Sequence, residues 1–153
     1  MGMWSRLVIL LAAGLAAAIA IGTAVAVVKR GSGSSGGDPT AYVSTTGNDA
    51  NPCTKSKPCL SFGRVWNDSK AGQTIEVAGG TYGDQQLNPY MLGAPRKAVV
   101  FRPAPGAKVT VGEVVVKGSY IEFRGMRFGG WSTTAEARGI TFRAISSANM
   151  FIW

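Results

Sequence analysis

Pairs of apolar residues, each pair separated by one residue, recur through the second half of the chain. Successive pairs begin at residues 75, 99, 121 and 140, so they start 24, 22 and 19 residues apart. The pairs are Ile75 and Val77, Val99 and Phe101, Ile121 and Phe123, and Ile140 and Phe142. Alternation with period two is typical of a strand with an inward and an outward side, and a repeat of this length is typical of stacked supersecondary units. The spacing therefore predicts a stack of similar strands.

Shorter apolar segments lie between these pairs, for example at residues 109–111, 114–116 and 126–128. They would form the other faces of each repeat, with Gly, Pro and Asn residues at the corners. An antiparallel sandwich is the alternative. The long spacing and the lack of Asn-Gly hairpin signals argue against it.

The amino-terminal segment, residues 7–28, contains 22 residues without a charge and is bounded by basic residues at both ends. A membrane-spanning helix needs about 20 such residues, so its length favours an uncleaved signal anchor in contact with the membrane. Residues 24–26 (Ala-Val-Ala) form a small-x-small site, which favours a cleaved signal peptide instead. Both interpretations predict a hydrophobic helix over residues 1–28 and an extracellular or cell-surface location for the rest of the chain.

A Gly/Ser-rich segment, residues 29–41, is predicted to be a flexible linker, and residues 42–153 to be the folded domain. Cys53 and Cys59 are the only cysteines. Behind an export signal, they are predicted to form a disulfide that staples the start of the domain. Two thiols in a chain without His do not suit a zinc site.

The segment after the cysteines, residues 60–67 (LSFGRVWN), is predicted to form a short helix. Its apolar face would contain Leu60, Phe62, Val65 and Trp66. A strand is predicted at residues 74–77, followed by a sharp turn at residues 78–80 (Ala-Gly-Gly), where glycine permits angles that a side chain would forbid.

The motif YVSTTGNDANPCTKSKPC, a short helix and then AGQTIEVAGGTY together span residues 42–82. This arrangement resembles the amino-terminal cap and first coil of right-handed parallel β-helix proteins of the pectate-lyase-like superfamily, and the two cysteines are similar to those of exported bacterial members. The resemblance implies an all-β solenoid with a cap at residues 42–73 and coils at residues 74–153. Because the fold hosts lyases, hydrolases, epimerases, adhesins and binding proteins, it implies no single activity.

The carboxyl-terminal residues 150–153 (Met-Phe-Ile-Trp) begin 10 residues past Ile140, where a further strand of the fourth coil is expected. Solenoids need a polar closing cap for solubility, and an open apolar strand is an aggregation hazard. The sequence therefore predicts a β-helix that is incomplete at this end, either a fragment or a chain whose end a partner covers.

The net charge of +8, from 16 Lys and Arg against 8 Asp and Glu, favours anionic partners, with a generally basic surface as the alternative. Without His, imidazole metal sites and His-dependent acid–base catalysis are excluded. Nucleic acid is not the predicted partner, because the export signal argues against it.

The candidate ligand-binding residues Arg102, Arg124 and Arg143 each come directly after the second member of an apolar pair. Stacked, they would form a ladder of guanidinium groups on one outer face, and an anionic polysaccharide would relieve their repulsion through bidentate contacts. The alternative is that they extend into solvent or pack their stems over the coil. Three further cations can add to this positive field: Lys117, Arg127 and Arg138.

Trp131 is the fourth candidate ligand-binding residue. It comes after two glycines, so a loop position is expected, and its ring is a candidate stacking platform for a sugar. A simple packing role is the alternative.

Two glutamates are the only candidates for a catalytic pair. Aligning the pairs places Glu76 and Glu122 in one column with Val100 between them, roughly 9–10 Å apart, at the outer limit for an inverting glycosidase. Two solvated glutamates are the alternative. The 48–51 loop could bind a cation, although Asx residues in turns usually bind their own backbone.

Lyases of the family it resembles hold calcium with acidic residues, and no Asp occurs after Asp84 here, so no catalytic residue, metal or cofactor is assigned. The predicted function is therefore that of an exported, possibly membrane-tethered β-helix module that contacts acidic extracellular polysaccharide. The alternative is the amino-terminal part of a polysaccharide lyase or glycoside hydrolase whose catalytic coils are absent.

Overall fold

A computed structural model describes residues 37–89 and 97–147. The predicted hydrophobic helix at residues 1–28, most of the predicted linker and the terminal residues 150–153 lie outside this part. Within it the strands are β1 (Ala41–Val43), β2 (Thr74–Val77), β3 (Gly80–Tyr82), β4 (Gln85–Leu87), β5 (Val99–Pro103), β6 (Val109–Val116), β7 (Ile121–Arg124), β8 (Arg127–Thr133), β9 (Ile140–Arg143) and β10 (Ser146–Ser147). One helix, α1 (Phe62–Asn67), lies between β1 and β2. No helix of the described residues is long and apolar enough to span a membrane.

The strands form two sheets in which every pairing is parallel. The first sheet has the order β1-β2-β5-β7-β9, and the second has the order β10-β8-β6-β3, with β4 also paired to β6. From β5 to β10 the chain alternates between the sheets, so each sequence repeat adds one strand to each of them. The prediction of an all-β fold is confirmed, and the antiparallel alternative is excluded for the described strands.

The predicted apolar pairs supply the strands of the first sheet. Val99 pairs with Ile121 and Phe101 with Phe123, as the simple alignment of the repeats predicts. At the preceding step, however, Ile75 pairs with Phe101 rather than with Val99. The two-residue shift keeps the same side chains facing inward, so the apolar pattern cannot detect it.

Backbone hydrogen bonds fix this shifted register. The Val100 N–H donates to the Gln73 carbonyl, and the Ala104 N–H donates to the Val77 carbonyl, both at 2.9 Å. The shift matters for the outer face of the sheet, because it decides which polar side chains become neighbours.

An aromatic stack forms the centre of the core. Phe62 of α1 stacks on Phe101, Phe101 on Phe123, and Phe123 on Phe142, with ring centroids 5.3, 5.2 and 5.2 Å apart. Phe128 of the second sheet meets Phe123 edge to face at 5.5 Å. Each such pair contributes about 0.5–1.5 kcal/mol beyond burial, so the stack ties the helix and both sheets to one core.

Helix α1 begins two residues later than predicted and packs over β4. Ser61 is its N-cap and accepts a hydrogen bond from the Arg64 N–H, whereas Leu60 lies before the helix and is 44% exposed. The indole of Trp66 donates to the Asn88 carbonyl at 2.7 Å. A Cβ at Gly118 would lie 2.6 Å from the Trp66 ring, so the close packing of this ring requires glycine.

The predicted disulfide between Cys53 and Cys59 is present, and both residues are buried. The disulfide joins two segments that both hydrogen-bond to β1. The Cys59 N–H donates to the Tyr42 carbonyl, and the Tyr42 N–H donates to the Cys53 carbonyl. β1 begins at Ala41, the last residue of the predicted linker.

Candidate functional site

The outward side chains of the first sheet form two neighbouring columns. In one of them Glu76 pairs with Arg102, and Arg124 pairs with Arg143. Arg102 and Arg124 come directly after the paired residues Phe101 and Phe123, so they continue the same column. The structure therefore brings the three predicted ladder arginines together on one face, with Glu76 at its start.

The second column contains Thr74, Val100, Glu122 and Thr141. Glu76 and Glu122 thus lie in different columns, and the prediction that they share one with Val100 between them is wrong. The two-residue shift between β2 and β5 is the physical reason. As a result Glu76 stands beside Arg102, and Thr74 takes the place in the Glu122 column that the sequence repeat assigns to Glu76.

Glu122 binds two of the arginines. Its Oε1 accepts from Arg124 Nε at 2.8 Å and lies 2.7 Å from Arg143 Nε, while its Oε2 accepts from Arg124 Nη2 at 3.0 Å. The Glu122 and Arg124 side chains are only 10% and 19% exposed, whereas the Arg143 side chain is 68% exposed. The single negative charge of Glu122 is therefore shared between a mostly buried guanidinium and an exposed one, and the three groups keep one net positive charge.

This arrangement determines the charge state of Glu122. The hydrogen bonds from Arg124 hold the pKa of the Glu122 carboxyl below its ordinary value; burial opposes the shift, and the positive charges of Arg124 and Arg143 add to it. The same hydrogen bonds raise the pKa of Arg124 against the effect of burial. A carboxylate held ionised by two arginines is a poor general acid, and its evident effect is to orient the guanidinium groups.

Trp131 does not lie on a loop and does not join the arginines. It belongs to β8 in the second sheet and pairs with the buried Val114. Its half-buried ring stacks on Phe142 with centroids 4.6 Å apart. The loop prediction is wrong, because the two preceding glycines are part of the strand.

The outer face of the second sheet contains a feature that sequence reasoning missed. Register places Thr81, Thr110, Arg127 and Ser146 in one row across β3, β6, β8 and β10. Two shallow cavities of about 600 and about 490 Å³ share Thr110, Arg127 and Ser146 in their linings. The sequence signal for this row is Phe128. If the Phe128 side chain points into the core, the preceding Arg127 side chain must point outward, on a different sheet from the arginine ladder.

The polar loop at residues 48–51 binds backbone groups. Asn48 Oδ1 accepts from the Ala50 N–H, Asp49 Oδ1 accepts from the Leu60 and Ser61 N–H groups, and Asn51 Nδ2 donates to the Pro58 carbonyl. These contacts stabilise the loop beside the disulfide. Burial raises the pKa of the Asp49 carboxyl, but the hydrogen bonds from Ser61 and Leu60 outweigh it and give a net lowering. In the described ranges, no group of three or more Cys, Asp and Glu side chains is placed to hold a metal ion.

Comparison of the chain with protein-family models, with curated proteins and with solved structures found no match. Inferences about function therefore depend on the residues and on the geometry described above.

Proposed function

We propose that this protein is an exported module that binds acidic extracellular polysaccharide through the outer face of its first sheet. The proposal includes a right-handed parallel β-helix of the pectate-lyase-like type. When residues 7–28 are retained, they tether the module to the membrane.

The alternation of the chain between two parallel sheets supports the fold proposal. Connections between parallel strands of one sheet are right-handed in about 98% of cases, which gives the hand. The repeats from β5 to β10 each add one strand to both sheets, as a coil of a parallel β-helix does.

The buried disulfide supports export. Disulfides persist in oxidising compartments such as the cell exterior and are rare in the cytosol. The Cys53–Cys59 bond lies directly against β1, so it stabilises the first layer of the module. Together with the apolar segment at residues 7–28, it favours an extracellular or cell-surface location.

The observation that carries the proposal is the exposed guanidinium of Arg143 beside Glu122. Its Nε faces the carboxylate at 2.7 Å, and the side chain is 68% exposed. The planar fork of a guanidinium held in this way suits a bidentate contact to a ligand carboxylate. Arg102 and Arg124 precede it in the column at the strand spacing of about 4.8 Å, so positive groups recur along the direction in which a polymer would extend.

The test is retention of the full-length protein on immobilised alginate, hyaluronate and polygalacturonate, with dextran as the neutral polymer and duplex DNA as an anionic competitor. We expect retention on the uronate polymers, and we expect Arg143→Ala to weaken it more than the double variant Lys55→Ala, Lys57→Ala does. The double variant removes twice the charge from the exposed cap loop, so general charge attraction predicts the opposite order. Equal retention of both variants would contradict the proposed face.

The enzymatic alternative stays a prediction. If the protein is the amino-terminal part of a lyase or glycoside hydrolase, the same polymers should gain unsaturated or reducing ends during incubation. Retention on the polymers without any chain cleavage supports the binding module.

A further inference from the structure

The groove on the outer face of the second sheet is formed by strand backbone and a row of polar side chains. Its two cavities lie on either side of Arg127, and each is within the size range of about 300–1,000 Å³ that is usual for ligand sites. The row from Thr81 to Ser146 crosses four strands, a distance of about 14 Å at the ordinary strand spacing. A groove of this length and openness suits a chain-like ligand better than a small enclosed one.

The charged side chains that line this groove are both cations. Lys108 and Arg127 are the charged residues of the described lining, and both are exposed. Neither forms an ion pair with a described residue. A carboxylate lies at one edge of the groove, because Asp84 Oδ1 sits against Gly112 of the lining and accepts from the Glu113 N–H.

The remaining polar groups of the lining are hydroxyls. Thr81, Thr110 and Ser146 stand in the same row as Arg127, and hydroxyls both donate and accept hydrogen bonds. The floor includes Gly112 and Gly129, which carry no side chains, and its exposed surface is mostly apolar. A cation flanked by hydroxyls over an apolar floor is complementary to a sugar ring that carries one negative group.

We propose that this groove is a binding site for an acidic saccharide chain, in which Arg127 contacts a uronate carboxylate and the flanking hydroxyls contact sugar hydroxyls. This inference rests on the proposed function, but it assigns binding to a second face. Lys108, on the turn before β6, contributes positive potential at one end of the groove.

The experiment measures the affinity of the full-length protein for uronate oligosaccharides prepared from alginate and from polygalacturonate. Arg127→Ala removes the central cation, and Thr110→Trp fills the groove without a change of charge. The matched controls are Arg138→Ala, an exposed cation outside the groove, and Gln86→Trp, at an exposed position on β4 that is also outside it. Thermal melting checks that each variant is folded.

We expect Arg127→Ala to weaken binding about tenfold, the loss expected for a charge-assisted hydrogen bond. Thr110→Trp should weaken it by a similar factor because the indole fills the groove, while the two controls should change the affinity less than about twofold. A folded Arg127→Ala variant with unchanged affinity overturns the assignment of the groove. If Arg143→Ala abolishes binding in the same assay, the proposed function of the first sheet stands although the groove is not a binding site. Absence of binding to every uronate chain overturns both proposals.

A second set of affinity measurements, with dextran sulfate, tests which anionic group of the ligand Arg127 contacts. Selectivity for the uronate chains, lost in Arg127→Ala, supports the carboxylate assignment. Equal or tighter binding of dextran sulfate through Arg127 would overturn that assignment.

Discussion

On the first sheet, Arg124 and Arg143 both face the carboxylate of Glu122, whereas on the second sheet Arg127 stands in a groove whose described lining contains Lys108 and hydroxyls but no carboxylate. The two faces are the outer sides of one core and carry the same type of side chain. They differ in the residues that the same strand and the neighbouring strands place beside the arginine.

The difference shows that a count of arginines does not measure the positive charge that a face offers to a ligand. A carboxylate two positions away on the same strand reaches the guanidinium directly, and a neighbouring strand brings a second arginine to the same oxygen. On the second sheet, the neighbouring strands bring the hydroxyls of Thr110 and Ser146 beside Arg127, which forms no ion pair with a described residue.

The largest effect on stability is expected from a substitution in the core that both faces share. Phe123→Ala should lower the free energy of unfolding by about 3–5 kcal/mol, because Phe123 contacts Phe101, Phe142 and Phe128 and so joins the two sheets. Denaturant unfolding measures the loss. Phe142→Ala is the matched control and should cost less, because Phe142 is only half-buried; equal costs would contradict the dependence of the loss on burial.

Removing the carboxylate of the first sheet should have the next largest effect. Glu122→Ala should lower the free energy of unfolding by about 2 kcal/mol, because it leaves the mostly buried Arg124 without this partner. Glu113→Ala, an exposed glutamate of the second sheet, should change it by less than about 0.5 kcal/mol. A urea titration serves both variants, and a similar small change in each would remove the distinction between the faces.

The pH dependence of stability tests the same carboxylate without removing its side chain. Because its pKa is lowered in the folded state, Glu122 stabilises the protein above its ordinary pKa of 4.5, and this contribution is lost as the pH falls through the lower folded value. Melting temperatures from about pH 7 to about pH 3 should therefore fall more for the unaltered protein than for Glu122→Gln. Asp49, whose pKa is also lowered, contributes equally in both, so parallel curves would contradict the role of Glu122.

The smallest effects on stability are expected when a single arginine is removed from each of the two faces. Arg124→Ala should cost about 1.5 kcal/mol, since it removes hydrogen bonds to a buried carboxylate. Arg127→Ala should stay within about 0.5 kcal/mol, since this side chain is exposed and forms no ion pair with a described residue. Thermal melting of the two variants side by side measures the difference, and a reversed order would show that Arg127 supports the fold rather than a ligand.

The fold was largely predictable because it depends on local patterns. Alternating apolar residues identified β2 with its bounds, Thr74–Val77, and the inward members of β5, β7 and β9. The pairing of Cys53 with Cys59 was predictable because the chain has two cysteines behind an export signal. The helix was displaced by two residues, because Ser61 acts as an N-cap and excludes Leu60 from the first turn.

The candidate site was less predictable because it depends on which strands become neighbours and in which register. The sequence by itself determined that the chain forms stacked strands with an apolar inner side, since side-chain alternation has a period of two. Only the tertiary structure decided that Glu76 stands beside Arg102 and that Glu122 holds two arginines. A shift of two residues leaves burial unchanged, so hydrophobicity does not specify it; the backbone hydrogen bonds between strands do, and they set the electrostatics of each outer face.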